Sequence, residues 1–540
     1  MTTNNKRFFK AMACAVTGLA LFSPFNESNA VNPFLPLWEY IPDGEPYVFE
    51  DPDNPGKFRV YIYGSHDSRK SEYCGLEQVV WSAPVDDLHN WRYDGIIFES
   101  KLDANGNTLN PYGEGDVLFA PDITEVTAKD GSKVYYFYPN NQNGGRNGMI
   151  AKSSRPDGPF EVSNWSKESP VVTDGVLRFD PAVFVDDDGK VYGYWGFERS
   201  YGAELDPNTM ATVKDGTDIV EDMIPGRDQD ETFRFFEASS IRKIKDKYVF
   251  VYSRWTRDGE FGLPETNYTL AYAYSDNPLG PFTYGGTIID GRARGVDEQG
   301  NVIPTATPFG NTHGSIVEID GKWYVFYHRQ SGTDEYARQA MVAPIEVKVE
   351  EGPGGKVEIS EAEYTSEGFD TEGLDPFKRY SAGIMCYYTG PRPASHNYPN
   401  VHFTGSYVQP FYADFRRFND PYAPQYNRNA VINNTDGSII GYKYFNFDRM
   451  DKNADLILNL KPLGIDGTID VMIDSPWESK GGIKIGSLNL SKDAAASATD
   501  MTIKTSGIKG LKGKHPLFLI FKSPVKDKSI CDLYELQFNN

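Results

Sequence analysis

The chain has 540 residues, 39% hydrophobic and 14% aromatic, which is enough apolar material for two or three folded domains and excludes a disordered protein. Its formal net charge of -22, from 54 Lys and Arg against 76 Asp and Glu, leaves no basic footprint for nucleic acid or an anionic membrane surface. A neutral or cationic ligand is favoured.

At the N-terminus, Lys6, Arg7 and Lys10 precede an apolar stretch from Ala11 to Phe22, and Ser28-Asn29-Ala30 supplies small residues before a cut. This is the pattern of a secretory signal over residues 1–30, too short to span a bilayer. The mature chain is expected to begin near Val31 and to be secreted or periplasmic. No later segment reads as a membrane span. Beyond the signal, Cys74, Cys386 and Cys531 have no C-x-x-C spacing, so neither a zinc site nor a disulfide framework is indicated. Pairing of Cys386 with Cys531 and three buried thiols both stay open.

From residue 43 onward one pattern recurs five times. Asp43, Asp122, Asp180, Glu237 and His313 each stand at the head of a short alternating strand, a polar turn and a second strand loaded with Tyr, Phe and Val. Examples are DPAVFVDDDGKVYGYWG from Asp180 and HGSIVEIDGKWYVFYHR from His313. The lead residues lie 79, 58, 57 and 76 positions apart, about one four-stranded sheet per unit. The pattern predicts a five-bladed β-propeller over residues 31–370, in which equivalent residues of successive blades converge on one axial pocket. Asp is also a common turn former, but Glu and His are poor ones.

The character of the chain changes after about residue 345. EEGPGGK (Glu350–Lys356) is polar and Gly-rich, and TSEGFDTEGLDPF (Thr365–Phe377) lacks strand alternation, which places a boundary near residue 370. Beyond it, GSIIGYKYFNF, ADLILNLKPL, GTIDVMIDS and HPLFLIFKS predict an antiparallel β-sandwich of jelly-roll type over residues 371–540. No helix-period run of useful length occurs, so the chain is expected to be nearly all β.

Motifs for other chemistries are absent: no G-x-S-x-G elbow, no phosphate-binding G-x-x-x-x-G-K-[ST], no H-E-x-x-H. What remains is carboxylates in a pocket. Cleaving a glycosidic bond needs one protonated acid for the leaving oxygen and one ionised base for water, and a third carboxylate raises the pKa of the acid. Glu237, between Phe235-Phe236 and Ala238-Ser239, is a charge in a strand otherwise fit for burial, which is expensive without a purpose. Asp43 lies in Pro-Asp-Gly, a turn tripeptide in its own right, with Glu45 as a neighbouring carboxylate that competes for the role of base. Asp186-Asp187-Asp188-Gly189 reads as an exposed hairpin turn. Phe119 and Trp38 are candidate sugar platforms.

The segments NPFLPLWEYIPDGEP, LFAPDI, RFDPAVFVDDDGKVYGYWG, FFEASSIRKI and GNTHGSIVEIDGKWYVFYHR, in that order over Asn32 to Arg329, resemble glycoside hydrolase family 43. The resemblance implies an inverting mechanism, with Asp43 as general base, Glu237 as general acid and Asp180 as modulator and orienter of that acid. It puts His313 near the propeller axis beside a calcium ion or a water cluster, and Arg329 near the sugar. Asp122 either bonds a sugar hydroxyl or braces the channel. The C-terminal part resembles carbohydrate-binding module family 6 in GYKYFNF, GIKGLKGKHPLFLIFKS and DLYELQF, but Cys531-Asp532 and ATDMTIKTSG depart from that family where sugar would bind. The chain is therefore expected to be a monomeric exo-acting α-L-arabinofuranosidase on oligo- or polysaccharide side chains, with the Lys101–Val117 insertion walling one end of the pocket. The alternatives are a β-D-galactofuranosidase or β-xylosidase of the same family, and a non-catalytic glycan-binding propeller.

Overall fold

The computed structural model describes residues 31–69, 71–100, 116–142, 148–164, 175–411, 428–450 and 454–539. The expected signal segment and most of the Lys101–Val117 insertion lie outside them. Among the described residues there is no α-helix, and the chain is nearly all β, as its sequence predicts.

The five predicted hairpins are all present, each opening an antiparallel sheet whose strands follow chain order. The first sheet comprises β1 (Glu45–Glu50), β2 (Phe58–Tyr63), β3 (Glu77–Pro84) and β4 (Arg92–Glu99). The second has β5 (Asp122–Thr127), β6 (Lys133–Tyr138), β7 (Ala151–Ser153) and β8 (Glu161–Val162). The third has β9 (Ala182–Val185), β10 (Val191–Phe197), β11 (Arg199–Leu205) and β12 (Val220–Glu221). The fourth has β13 (Phe235–Ile244), β14 (Lys247–Arg254), β15 (Thr269–Ser275) and β16 (Thr283–Asp290). After a small hairpin of β17 (Arg294–Val296) and β18 (Val302–Pro304), the fifth sheet has three strands, β19 (Ser315–Ile319), β20 (Lys322–Gln330) and β21 (Arg338–Ile345).

The aromatic second strand of each hairpin has a physical reason: it is apolar on both faces because a neighbouring sheet covers each one. In β2, Val60 and Ile62 pack with Val317, Ile319 and Phe326 of the fifth sheet, while Tyr61 and Tyr63 pack with Ile123 and Phe137 of the second. In β14, Phe250 and Tyr252 face Tyr192 and Tyr194 of the third sheet, and Val249 and Val251 face Val325 and Tyr327 of the fifth. Alternate side chains of a strand point to opposite faces, so a strand between two sheets must be apolar at every position. Tyr138 and Ile150 of the second sheet region join Val183 and Val191 of the third in the same manner. Burial of this kind contributes roughly 1.5–3 kcal/mol per large side chain.

After a short pair of strands, β22 (Val347–Val349) and β23 (Val357–Ile359), the described residues of the rest of the chain form a six-stranded sheet, a five-stranded antiparallel sheet and a separate two-stranded hairpin. Leu456, Leu458, Leu533 and Phe538 of the six-stranded sheet meet Ile469, Val471, Leu517 and Leu519 of the five-stranded one. The same apolar cluster runs on without a break into Val251, Leu270, Val325 and Met341 of the fourth and fifth sheets. The C-terminal part is thus welded to the sheets that carry Glu237 and His313. Cys74, Cys386 and Cys531 are all buried free thiols, which closes the alternative of a Cys386–Cys531 bridge.

Candidate active site

Four of the five lead residues, Asp43, Asp180, Glu237 and His313, line one cavity of about 160 Å³, with Tyr73, Phe119, Phe179, Asn311 and Arg338 around them. Irregular backbone delivers each carboxylate. Asp43 lies two residues ahead of β1 with φ of 60°, and Asp180 two residues ahead of β9 with φ of 43°. Asp, with a short polar side chain, tolerates this left-handed region, so the turn chemistry legible in Pro-Asp-Gly also aims the carboxylate. Glu237 sits at a bulge: the β13–β14 register slips on both sides of it, and Ala238 has φ of 69°. Bulges re-aim side chains in this way. Gly44 forms a parallel bridge with Gly314, bringing Asp43 beside His313, and a Cβ at Gly314 would come within 1.9 Å of the Phe326 carbonyl oxygen.

Asp43 is held as an anion. Burial favours its neutral form, but Arg338 Nη1 at 2.9 and 3.2 Å from its two oxygens and the Ser65 hydroxyl at 2.5 Å outweigh that and keep the carboxyl below its ordinary range. Arg338 is itself fixed by a two-pronged pairing of Nε and Nη2 with Asp67, each at 2.9 Å. The backbone N–H of Asp43 donates to Nδ1 of His328 at 3.2 Å, and the other ring nitrogen faces the Asn311 carbonyl at 2.9 Å. Burial lowers the His328 pKa to about 3, so these two partners assign a neutral ring protonated on Nε2, not an ion pair with Asp43.

Glu237 is held the opposite way. Burial first, then the negative charges of Asp180 and Asp43, push its carboxyl well above its ordinary range; Arg338 and a hydrogen bond from Asn311 pull weakly the other way. Asp180 is raised by burial to about 6, opposed by His313 and by hydrogen bonds from the Ala238 N–H at 3.1 Å and Asn140 Nδ2 at 3.0 Å. Because Ala238 follows Glu237, the bond from its N–H to Asp180 fixes the bulge that carries Glu237. Two carboxyl groups with pKa values driven apart in one cavity are the electrostatic arrangement that general acid–base catalysis needs.

The remaining predicted residues divide. Phe119 lines the cavity. Asp122 does not: it is buried among the inner strands, accepting from the Tyr47 hydroxyl at 2.8 Å and the Val183 N–H at 2.6 Å, and burial raises its pKa to about 8. It braces the inner strands. Glu45 likewise is outside the cavity, 2.8 Å from Arg242 and accepting from the Ser240 hydroxyl. Trp38, read as a sugar platform, is instead 4% exposed in the core with its ring 6.0 Å from that of Trp81. Arg329, placed near the sugar by resemblance, instead donates to the Met385 carbonyl at 2.7 Å and to Gln339, because alternation along β20 turns His328 toward Asp43 and Arg329 away. Arg338, His328, Ser65 and Asn140 were not anticipated. Arg338 had a signal: a guanidinium inside the apolar run of YARQAMVAP is as anomalous as Glu237 in its own strand.

Among the described residues no group of three or more His, Cys, Asp or Glu is placed to hold a metal ion. His313 has Asp180 at 3.7 Å as its carboxylate neighbour, far short of the six to eight oxygens that calcium takes. These side chains by themselves do not make a calcium cage.

A cavity that holds an ionised and a protonated carboxyl against a sugar-sized space is the site of a glycoside hydrolase. Residues 50–353 match glycosyl hydrolases family 43, and the chain belongs to that family. It is 35% identical over 373 residues to a protein of Thermoclostridium stercorarium named xylosidase/arabinosidase, covering 66% of this chain and 71% of that one. A β-xylosidase of Xylanibacter ruminicola is 29% identical over 349 residues, covering 58% of this chain and 95% of its own. A crystal structure of a family 43 arabinoxylan arabinofuranohydrolase from Bacillus subtilis, in complex with cellotetraose, covers 95% of this chain and 98% of its own at 20% identity, with a TM-score of 0.43.

Proposed function

We propose that this glycosidase is an inverting, exo-acting α-L-arabinofuranosidase on the side chains of plant polysaccharide. The observation that carries the reading is the opposed setting of Asp43 and Glu237 in a cavity of about 160 Å³. Glu237, kept protonated by burial and by Asp180, gives its proton to the leaving glycosidic oxygen. Asp43, kept ionised by Arg338, takes a proton from the water that attacks the anomeric carbon from the opposite face. As the bond breaks, Glu237 acquires the charge that the leaving oxygen would otherwise carry, and Asp180 orients it. An inverting pair needs room for that water, a carboxyl separation of roughly 6.5–9.5 Å. A cavity this small suits one terminal sugar ring and so exo action.

The arabinose specificity rests on relatives named xylosidase/arabinosidase and arabinoxylan arabinofuranohydrolase. β-Xylosidase activity is the second reading, favoured by the first of those names and by the Xylanibacter relative. The architecture proposed is a five-bladed propeller over residues 31–370, supported by the cyclic packing of sheet on sheet and the Gly44–Gly314 bridge from first to fifth. A jelly-roll sandwich over residues 371–540, similar to carbohydrate-binding module family 6, completes it. We further propose a monomer exported by the segment at residues 1–30. The test is incubation with aryl α-L-arabinofuranoside, β-D-xyloside and β-D-galactofuranoside. Fastest release from the arabinofuranoside is expected, and turnover of the xyloside or galactofuranoside alone would overturn the specificity.

A further inference from the structure

The family match ends at residue 353, yet a hairpin from the C-terminal part, Ser395–Asn397 paired with Asn400–His402, is anchored at the rim of the cavity. The Val401 N–H donates to the Thr333 carbonyl at 2.9 Å, and Asn400 bridges Asp334. From this hairpin His396 Nε2 reaches Glu335 Oε1 at 2.9 Å, and the other oxygen of that buried carboxylate accepts from the hydroxyl of Tyr73, a cavity residue. The His396 ring also stacks on Phe309 at 4.6 Å and 15°, two residues before the cavity residue Asn311. At the tip of the hairpin Tyr398 is 64% exposed, edge-on to His396 at 6.2 Å and within hydrogen-bonding reach of Tyr73. A large aromatic ring held by His396 and Tyr73 at its edge, yet 64% exposed beside a sugar cavity, offers an amphipathic face.

We propose that Tyr398, supported by His396 and Phe309, is the platform for the sugar on the leaving-group side of the scissile bond, so that the C-terminal part of the chain sets specificity for oligosaccharide. The occupant is a pyranose of the polysaccharide backbone, because the platform is continuous through Tyr73 with the cavity that holds the terminal ring. Sugars offer an apolar C–H face to an aromatic ring and hydroxyls to its polar edge, and Tyr presents both. The Glu335 relay fixes the hairpin, so His396 and Glu335 act as positioning residues and Tyr398 as the binding one.

The inference rests on the glycosidase reading above, so its test reads binding separately from turnover. In full-length protein carrying Glu237→Gln, calorimetric titration with an arabinose-substituted xylo-oligosaccharide is compared with and without Tyr398→Ala. Affinity should fall about tenfold, the scale of losing an aromatic anchor, and Tyr398→Phe should restore most of it. In the enzyme with Glu237 intact, inhibition by free arabinose, which fills the cavity alone, should keep its constant within about twofold when Tyr398→Ala is introduced. Equal oligosaccharide affinity with and without Tyr398, or no oligosaccharide binding by Glu237→Gln at all, would overturn the proposal. Failure to hydrolyse any arabinofuranoside while oligosaccharide affinity still depends on Tyr398 would overturn the assigned reaction and leave the platform standing.

Discussion

Arg338→Met removes the guanidinium that keeps Asp43 ionised while conserving most of the side-chain volume. Arg338 Nη1 lies 2.9 Å from Asp43 Oδ1, with side-chain exposures of 2% and 7%, so solvent screens the pair little. Unit charges about 4 Å apart at an effective dielectric constant of about 20 interact by roughly 4 kcal/mol, equivalent to about 3 pH units. The Ser65 hydroxyl stays in place and still favours the anion, which brings the expected rise in the Asp43 pKa to about 2–3 units. The sign is fixed by the role: Asp43 must be ionised to accept a proton, so kcat/KM is lost as pH falls through its pKa. The acid limb of the profile, measured on the best aryl glycoside with folding checked by circular dichroism, should therefore move up by about 2–3 pH units. Arg338→Lys should leave that limb within about one unit yet lower kcat, because an ammonium keeps the charge but cannot fork between Asp43 and Asp67. An unmoved acid limb in a folded Arg338→Met enzyme would mean that Arg338 does not hold the catalytic base ionised.

Asp180→Asn deletes one of the two negative charges that raise Glu237. Glu237 must be protonated to act and loses activity as pH rises through its pKa, so the basic limb should move down, by about 1–2 units, with kcat reduced. Glu45→Gln separates bracing from catalysis. Breaking the buried contact with Arg242 should lower stability in a urea titration by about 3 kcal/mol, while both limbs of the pH profile stay in place. Loss of the acid limb instead would transfer the role of base from Asp43 to Glu45.

The recurrence of lead residues was legible because strands buried on both faces are apolar throughout, so a charge just ahead of a strand, as at Asp43, Asp180 and His313, or at a bulge within one, as at Glu237, stands out. That made Asp43, Asp180, Glu237 and His313 visible together. The same logic overreached at Asp122, which opens β5 in register and so points along the inner strands toward Tyr47 and Val183. Arg329 failed for a reason of parity: its neighbour His328 takes the face toward Asp43. Arg338 was missed because it lies on the third strand of its sheet, outside the hairpin repeat, and reaches inward on a long side chain. Trp38 could not be sorted from a sugar platform, since an aromatic residue bears the same name in core and rim. The Ser395–His402 hairpin carries no periodic signal. Its place at the cavity depends on tertiary contacts of Val401, Asn400 and His396 that no local pattern encodes.

Inversion requires an ionised Asp43 to activate water on the face of the sugar opposite Glu237. Proton NMR of the first-formed anomer during hydrolysis of an aryl α-L-arabinofuranoside tests it directly. The β-anomer of arabinofuranose should appear first and only then equilibrate. Initial release of the α-anomer would mean retention through a covalent intermediate, and would contradict the assignment of Asp43 as a general base.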